Sequence, residues 1–302
     1  MEREIKCKVG KKALSGMYRA EKFSSLTLLF AMILALIMVV GCATDRGVHL
    51  PPVASNPSGK VNIGKFVWMD LLTEDTSAAQ RFYGDLFGWR AEISKENKDY
   101  YVFFKGNKPI GGMAAHENRD EKKPESLWLM SLSVSDVDRA AALVKEKGGK
   151  ILEGPVNMDG RGRMALISDP AGAPVILLRA AGGDPAGEKA DMGEWLWTDL
   201  FTQDAKAAGQ FYEALVGYRT KTVDVGQDHR YQVLQSGDQM GAGIVELQWP
   251  DLEDNWVPYI KVDNVDQTVE KARNLGAKLI TQDKNVALLF DPTGAVFGIQ
   301  KI

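Results

Sequence analysis

Residues Val67–Tyr83 read VWMDLLTEDTSAAQRFY, and the pattern returns at Leu196–Tyr212 as LWTDLFTQDAKAAGQFY. At a constant offset of 129, Trp68, Asp70, Leu71, Thr73, Asp75, Ala78, Ala79, Phe82 and Tyr83 recur as Trp197, Asp199, Leu200, Thr202, Asp204, Ala207, Ala208, Phe211 and Tyr212. A period this long means two copies of one small domain rather than a solenoid, whose units are far shorter. The rest of the chain falls into place around these two stretches.

In the first copy, Lys65 to Leu72 reads as a strand. Asp75 stands where a helix cap belongs, before an apolar face of Ala78, Ala79, Phe82, Tyr83 and Leu86 that stops at Gly88. Three short strands are expected at Trp89–Ile93, Tyr100–Phe104 and Ile110–Ala115, separated by turn residues such as Gly106-Asn107. Leu127–Val134 restarts the plan. Asp136 caps a second helix through Val137, Ala140, Ala141 and Val144, and strands follow at Lys150–Glu153, Arg163–Ser168 and Pro174–Arg179. Each copy is therefore a pair of βαβββ units, and the fold class is α+β. The turn Asp169-Pro170-Ala171-Gly172 recurs as Asp291-Pro292-Thr293-Gly294 at an offset of 122, so the second copy is shorter there by a loop corresponding to Asn157–Arg163.

The amino terminus has another character. A basic segment with Arg19 and Lys22 leads into an apolar run from Leu26 to Val40 that ends at Gly41-Cys42, the plan of a secretory signal. The run is shorter than the roughly 20 residues a spanning helix needs. Val39-Val40-Gly41-Cys42 resembles the lipobox of bacterial lipoproteins, which implies lipidation of Cys42 and a membrane-anchored protein. Ala43 after the cysteine then implies the outer membrane, with the body facing the periplasm. The long basic region before the apolar run makes Met17 the expected start of translation. The domain plan is a signal peptide over 1–42, a Pro-containing tether over 43–60, module one over 61–181, a Gly/Ala/Pro-rich linker over 182–191 and module two over 192–302.

Cysteine and charge exclude several functions. The two cysteines are Cys7 and Cys42, so the mature domains have no disulfide, no thiol nucleophile and no Cys-based metal site. The first 42 residues hold 7 Lys and Arg against 3 Asp and Glu, which leaves 30 against 37 and a net charge of −7. An acidic body without a basic cluster is not built for nucleic acid. The expected partners are a small-molecule ligand and, through the lipid, a membrane.

Trp68-x-Asp70-Leu71, Phe82-Tyr83, Gly88-Trp89, Asp136-Val137-Asp138 and Asp169-Pro170-x-Gly172 together resemble the vicinal oxygen chelate superfamily, which includes glyoxalase I, bleomycin-resistance proteins and extradiol dioxygenases. The resemblance covers nearly everything after Val61. It implies cups formed by paired βαβββ units and, in many members, a divalent metal held by His, Glu or Gln from first and last strands. The matching positions here are Trp68, Leu129 and Ile176 in copy one and Trp197, Val257 and Gly298 in copy two. None is a normal metal ligand, so no cofactor is expected.

Alternation along the first strand places Phe66, Trp68 and Asp70 on one face, and Trp195, Trp197 and Asp199 on its counterpart, with Val67, Met69 and Leu71 opposite. An indole platform beside a carboxylate suits a planar or cationic ligand; equally, the indoles can simply fill a closed cup. Tyr101 and Tyr231 are matched as further lining candidates, as are Gly111 and Gly241 at strand bends. The expected ligand-binding set is Trp68, Asp70, Tyr101, Trp197, Asp199 and Tyr231. His49 reads as solvated, and Arg163 is a weaker candidate for binding an anion. Three functions stay open: a metal-independent binder of a planar or aromatic ligand; a glyoxalase-like lyase or dioxygenase with provisional metal ligands Asp70, His116, Asp199 or His229; and an envelope interaction module with closed cups.

Overall fold

A computed structural model describes residues 49–56, 58–115, 126–224, 230–237, 239–247 and 253–302. Cys42 and the whole signal segment, His116 and His229 lie outside the described residues. None of the described helices is long and apolar enough to cross a membrane.

The first module runs β1 (Phe66–Thr73), α1 (Thr76–Phe87), β2 (Trp89–Ile93), β3 (Tyr100–Lys105), β4 (Lys108–Ala115), β5 (Leu127–Ser133), α2 (Val137–Glu146), β6 (Lys150–Met158), β7 (Gly162–Ser168) and β8 (Pro174–Ala180). The second repeats it as β9 (Trp195–Thr202), α3 (Ala205–Val216), β10 (Arg219–Asp224), β11 (Arg230–Ser236), β12 (Gln239–Glu246), β13 (Asn255–Lys261), α4 (Val265–Asn274), β14 (Lys278–Gln282), β15 (Val286–Phe290) and β16 (Val296–Gln300). Each module forms one eight-stranded mixed sheet, ordered β2-β3-β4-β1-β5-β8-β7-β6 and β10-β11-β12-β9-β13-β16-β15-β14. The first strands of the two units, β1 and β5 or β9 and β13, join antiparallel at the middle and pair in parallel with the last strands of their own units.

Local sequence accounts for the helix limits. Asp75, Asp136, Asp204 and Asn264 each cap a helix by accepting a backbone N–H three residues on, which satisfies a donor the helix cannot satisfy itself. Gly88 and Gly217 end α1 and α3 at φ of 71° and 73°, a left-handed conformation that costs glycine least.

One face of each sheet packs with the helices into a core that runs through both modules. Phe66 of module one meets Trp256 of module two at 4.7 Å between ring centroids, and Trp128 meets Trp195 at 4.8 Å. The repeated tyrosines brace this seam reciprocally. Tyr83 donates to Asp291 at 2.8 Å and accepts from Trp128 at 2.8 Å; Tyr212 donates to Asp169 at 3.3 Å and accepts from Trp256 at 2.9 Å. Each module's Asp-Pro turn thus terminates the other module's helix-face tyrosine. Burial pushes both phenols well above their ordinary pKa, so they stay protonated donors. The reading of Phe82, Tyr83, Phe211 and Tyr212 as core holds.

Strict alternation fails at the start of β1 and β9. A bulge between Phe66 and Trp68, and its counterpart opposite Trp195 and Trp197, sends Phe66 and Trp195 into the shared core and leaves Val67 on the Trp68 face. An extra residue in one strand reverses the facing of everything before it. Met69 and Leu71 face the core as expected.

The tether is also not free over its full length. Leu50 and Val53 are buried against module one, the Leu50 N–H bonds to the Asp159 carbonyl at 3.0 Å, and His49 pairs with Asp159 with its Nδ1 buried. His49 is therefore packed against the hairpin rather than solvated. The linker is likewise anchored, because the fully buried Asp184 accepts from Ser133 at 2.6 Å and from the Asn62 N–H at 2.5 Å.

Candidate functional site

The second face of each sheet carries a triad built by β1, β3 and β4 or by their repeats. In module one, Asp70 Oδ1 accepts from Trp68 Nε1 at 2.9 Å and from the Tyr100 hydroxyl at 2.5 Å, while Trp68 Nε1 also reaches that hydroxyl at 2.9 Å. In module two, Asp199 Oδ1 accepts from Trp197 Nε1 at 2.7 Å and from the Tyr231 hydroxyl at 2.6 Å, with Trp197 Nε1 2.8 Å from that hydroxyl. Glycine makes room for both. A Cβ on Gly112 would lie 1.7 Å from the Tyr100 hydroxyl oxygen, and one on Gly243 would lie 1.9 Å from that of Tyr231. The intervening strand must lack a side chain for the tyrosine to reach the aspartate.

Four of the six expected ligand-binding residues meet in pairs in these triads, and Tyr231 joins the second. Tyr101 does not join the first: Tyr100 takes its place, and Tyr101 packs against the shared core. The repeat offset is 129 through the first helix but 131 across β3 and β4, as 231 − 100 and 243 − 112 show. The pairs Tyr101/Tyr231 and Gly111/Gly241 were matched at 130, one residue out, and in a strand one residue reverses the face.

The two triads have different surroundings. In module one, Arg161 enters from the β6–β7 hairpin tip and is only 1% exposed. Its Nε donates to the Pro51 carbonyl at 2.8 Å, its Nη2 to the Tyr100 hydroxyl at 2.8 Å, and its Nη1 lies 3.5 Å from Asp70 Oδ2. The guanidinium carbon sits 4.9 Å from the Trp68 ring centroid, a cation–π contact. Burial alone would lower the Arg161 pKa, but Tyr100 and Asp70 raise it, so the guanidinium stays charged. Trp68 is 2% exposed, and Leu50, Val53 and Met158 complete a single apolar cluster over it. The first cup is filled by its own chain.

In module two the hairpin is shorter, with β14 and β15 each of five residues against nine and seven for β6 and β7. The apolar residues of this face form two clusters, one around Val257, Tyr259, Val286 and Leu288 and the other around Tyr231 and Val233. Trp197, half-buried, is the partner common to both. All the residues of these clusters belong to the sheet itself. Burial pushes the Asp199 carboxyl up from the ordinary aspartate range, against the opposing influence of Tyr231, Trp197 and Tyr259.

Arg161, which sequence reading missed, has a signal in the loop that only copy one possesses. Arg163, singled out there instead, is a half-buried residue whose guanidinium is bound by Asp138 and Asn157, so it does not present a free cation to an anion.

Family models match both modules: the Glyoxalase/Bleomycin resistance protein/Dioxygenase superfamily over residues 65–177 and a Glyoxalase-like domain over residues 195–299. A Mycobacterium tuberculosis protein named "Putative glyoxylase CFP32" is 31% identical over 243 residues, covering 78% of this chain and 93% of the relative. The chain belongs to the glyoxalase/bleomycin resistance protein/dioxygenase superfamily. Anthracycline biosynthesis protein DnrV of Streptomyces peucetius is 28% identical over 262 residues, covering 79% of this chain and 94% of DnrV. Among solved structures, the Mn(II)-bound glyoxalase from Novosphingobium aromaticivorans matches with a TM-score of 0.54 at 17% identity, over 80% of this chain and 83% of that one. A homoprotocatechuate 2,3-dioxygenase variant from B.fuscum matches with a TM-score of 0.54 at 14% identity, over 81% of this chain and 73% of that one. These likenesses establish the fold.

The superfamily's metal does not fit the side chains at its usual positions. Trp68, Leu129 and Ile176 all belong to the apolar cluster of the first cup, where the Arg161 cation already stands beside Asp70. In the second, a Cβ on Gly298 would lie 2.2 Å from the Tyr259 ring, so that position has no room for any side chain. Across the same parallel pair, module one has Ser131 beside Ile176 where module two has Tyr259 beside Gly298. The bulk has moved from the last strand to its neighbour. Among the described residues no group of three His, Cys, Asp or Glu side chains is placed to hold a metal ion.

Proposed function

We propose that this superfamily member is a metal-independent small-molecule-binding protein whose second cup takes a planar aromatic ligand, with the first cup serving as scaffold. One observation carries the reading. The triad tryptophan is sealed in the first cup, whereas Trp197 is half-buried between two apolar clusters that meet at its ring. A half-open apolar site with a fixed indole and a few convergent polar groups is the usual form of a small-molecule pocket, and its rigid ring favours stacking. The relationship to DnrV is in keeping with this, since anthracyclines are fused planar rings.

The test is a tryptophan-fluorescence titration of the full chain with anthraquinone-2-sulfonate and anthracene-9-methanol. Saturable quenching by at least one, lost in a folded Trp197→Ala variant, is expected. Quenching by neither, or binding unchanged in Trp197→Ala, would refute the reading.

We also propose that Cys42 carries lipid and holds the protein at the bacterial outer membrane, facing the periplasm; the lipobox-like run ending at Gly41-Cys42 supports this. Labelled palmitate should enter the protein and fail to enter Cys42→Ala. Equal labelling of both would remove the anchor.

A further inference from the structure

The two cups share three of the four groups that make the first one a closed arrangement. Trp68, Asp70 and Tyr100 have their counterparts in Trp197, Asp199 and Tyr231, bonded to one another in the same way. The fourth group is the Arg161 guanidinium, which stacks over the indole, donates to the phenol and pairs with the carboxylate. That is how a protein recognises an organic cation: an aromatic face attracts it, a carboxylate neutralises it and a hydroxyl accepts one of its N–H groups. In module one the cation comes from the chain itself.

Module two keeps the three receptor groups, adds the neutral Tyr259 beside Asp199, and lacks the hairpin tip that would deliver the cation. Its shorter hairpin turns at Asp283–Asn285, where the single cationic residue, Lys284, is exposed. Among the described residues no cationic side chain forms an ion pair with Asp199. A buried carboxylate supported only by neutral donors lacks the counter-charge that burial demands. We infer that the second cup binds a ligand carrying a protonated amine or guanidinium on its planar body, the cation taking against Trp197, Asp199 and Tyr231 the place that Arg161 holds in the first cup. This inference rests on the reading of the second cup as a site for planar molecules and adds the charged group to it. The upward displacement of the Asp199 pKa by burial agrees, since an arriving cation would restore the ionised carboxylate.

The experiment compares two probes that share one ring system, 9-(aminomethyl)anthracene and anthracene-9-methanol, by isothermal titration calorimetry of the full chain near pH 7. The amine should bind at least about tenfold more tightly, the scale of one charge-assisted hydrogen-bonded contact. Asp199→Asn should abolish the preference, bringing the amine to within about twofold of the alcohol measured on the same variant. Tyr231→Phe, which removes one acceptor and keeps the ring, should lower the amine preference at least about threefold, and so serves if Asp199→Asn does not fold. Equal affinities for the two probes in the unsubstituted protein would overturn the cation inference while leaving the planar-ligand reading intact. Binding of neither probe would overturn both. An amine preference that survives both Asp199→Asn and Tyr231→Phe would place the cation elsewhere and overturn the inference alone.

Discussion

The two cups start from one sequence and reach opposite ends. In the first, a hairpin extension and the residues just before the module fill the space over Trp68 with an arginine, a leucine and a valine. Among the described residues of the second, neither addition is present and the corresponding indole is half-buried. The triad of tryptophan, aspartate and tyrosine belongs to the duplicated fold; what covers it decides whether it is a brace or a receptor. On the proposed function, duplication lets one copy stay closed while the other gives up some packing for a ligand.

The sharpest way to break this comparison is to remove the plug. Arg161→Met leaves Asp70 buried without its cation and should cost about 3–5 kcal/mol, read as a lower midpoint in urea denaturation. Asp70→Asn combined with Arg161→Met should recover part of that loss. A loss below about 1 kcal/mol for Arg161→Met would mean that the first cup is not held shut by this pair.

Tryptophan truncation sharpens the same contrast. Trp68→Ala should destabilise by about 3–5 kcal/mol, as for a fully buried large side chain. Trp197→Ala should cost less, by about 1 kcal/mol, because its ring is already partly in water. Equal costs measured by denaturation would show that the two cups are packed alike.

A third comparison concerns the acidic turns. Burial pushes Asp169 up to about 6, against its backbone hydrogen bonds from Ala173 and Gly172. A carboxyl with a raised native pKa contributes stability that is full below its unfolded value near 4 and is lost as pH rises through about 6. Two units correspond to about 3 kcal/mol, so between pH 4 and 7.5 the parent protein should lose about 2–3 kcal/mol that Asp169→Asn does not lose. Parallel pH profiles for the two proteins would refute the assignment.

The smallest effect separates the two tyrosine braces. Tyr83→Phe breaks a 2.8 Å bond to Asp291, and Tyr212→Phe a 3.3 Å bond to Asp169. Costs of about 2 and about 1 kcal/mol are expected, since the longer bond is the weaker. The reverse order in thermal or urea denaturation would mean that bond length is not what differs between the two halves of the seam.

Much of this was legible in the chain before any coordinates. The duplication, the four βαβββ units, the aspartate caps, the core role of Tyr83 and Tyr212 and the absence of metal ligands at the superfamily positions all follow from local pattern, where the chemistry acts within a few residues. Two kinds of detail were not legible. Facing depends on register, which a bulge at Phe66–Trp68 and a two-residue change of offset before Tyr231 alter without any sign in composition. Arg161 was not legible for another reason: the loop unique to copy one marks its neighbourhood, but its partners Asp70, Tyr100 and Pro51 are distant in sequence, and nothing within the loop distinguishes it from the half-buried Arg163 two positions away.

The docking of His49–Val53 onto the Asp159 hairpin changes how the body can sit on a membrane. If Cys42 is the lipid anchor, only six residues separate it from His49, and a fully extended chain covers at most about 25 Å over that interval. The leash is therefore shorter than the thickness of a bilayer core, and it leaves the body beside the filled cup. The protein would ride close against the lipid surface by the face of its first module, moored rather than trailing.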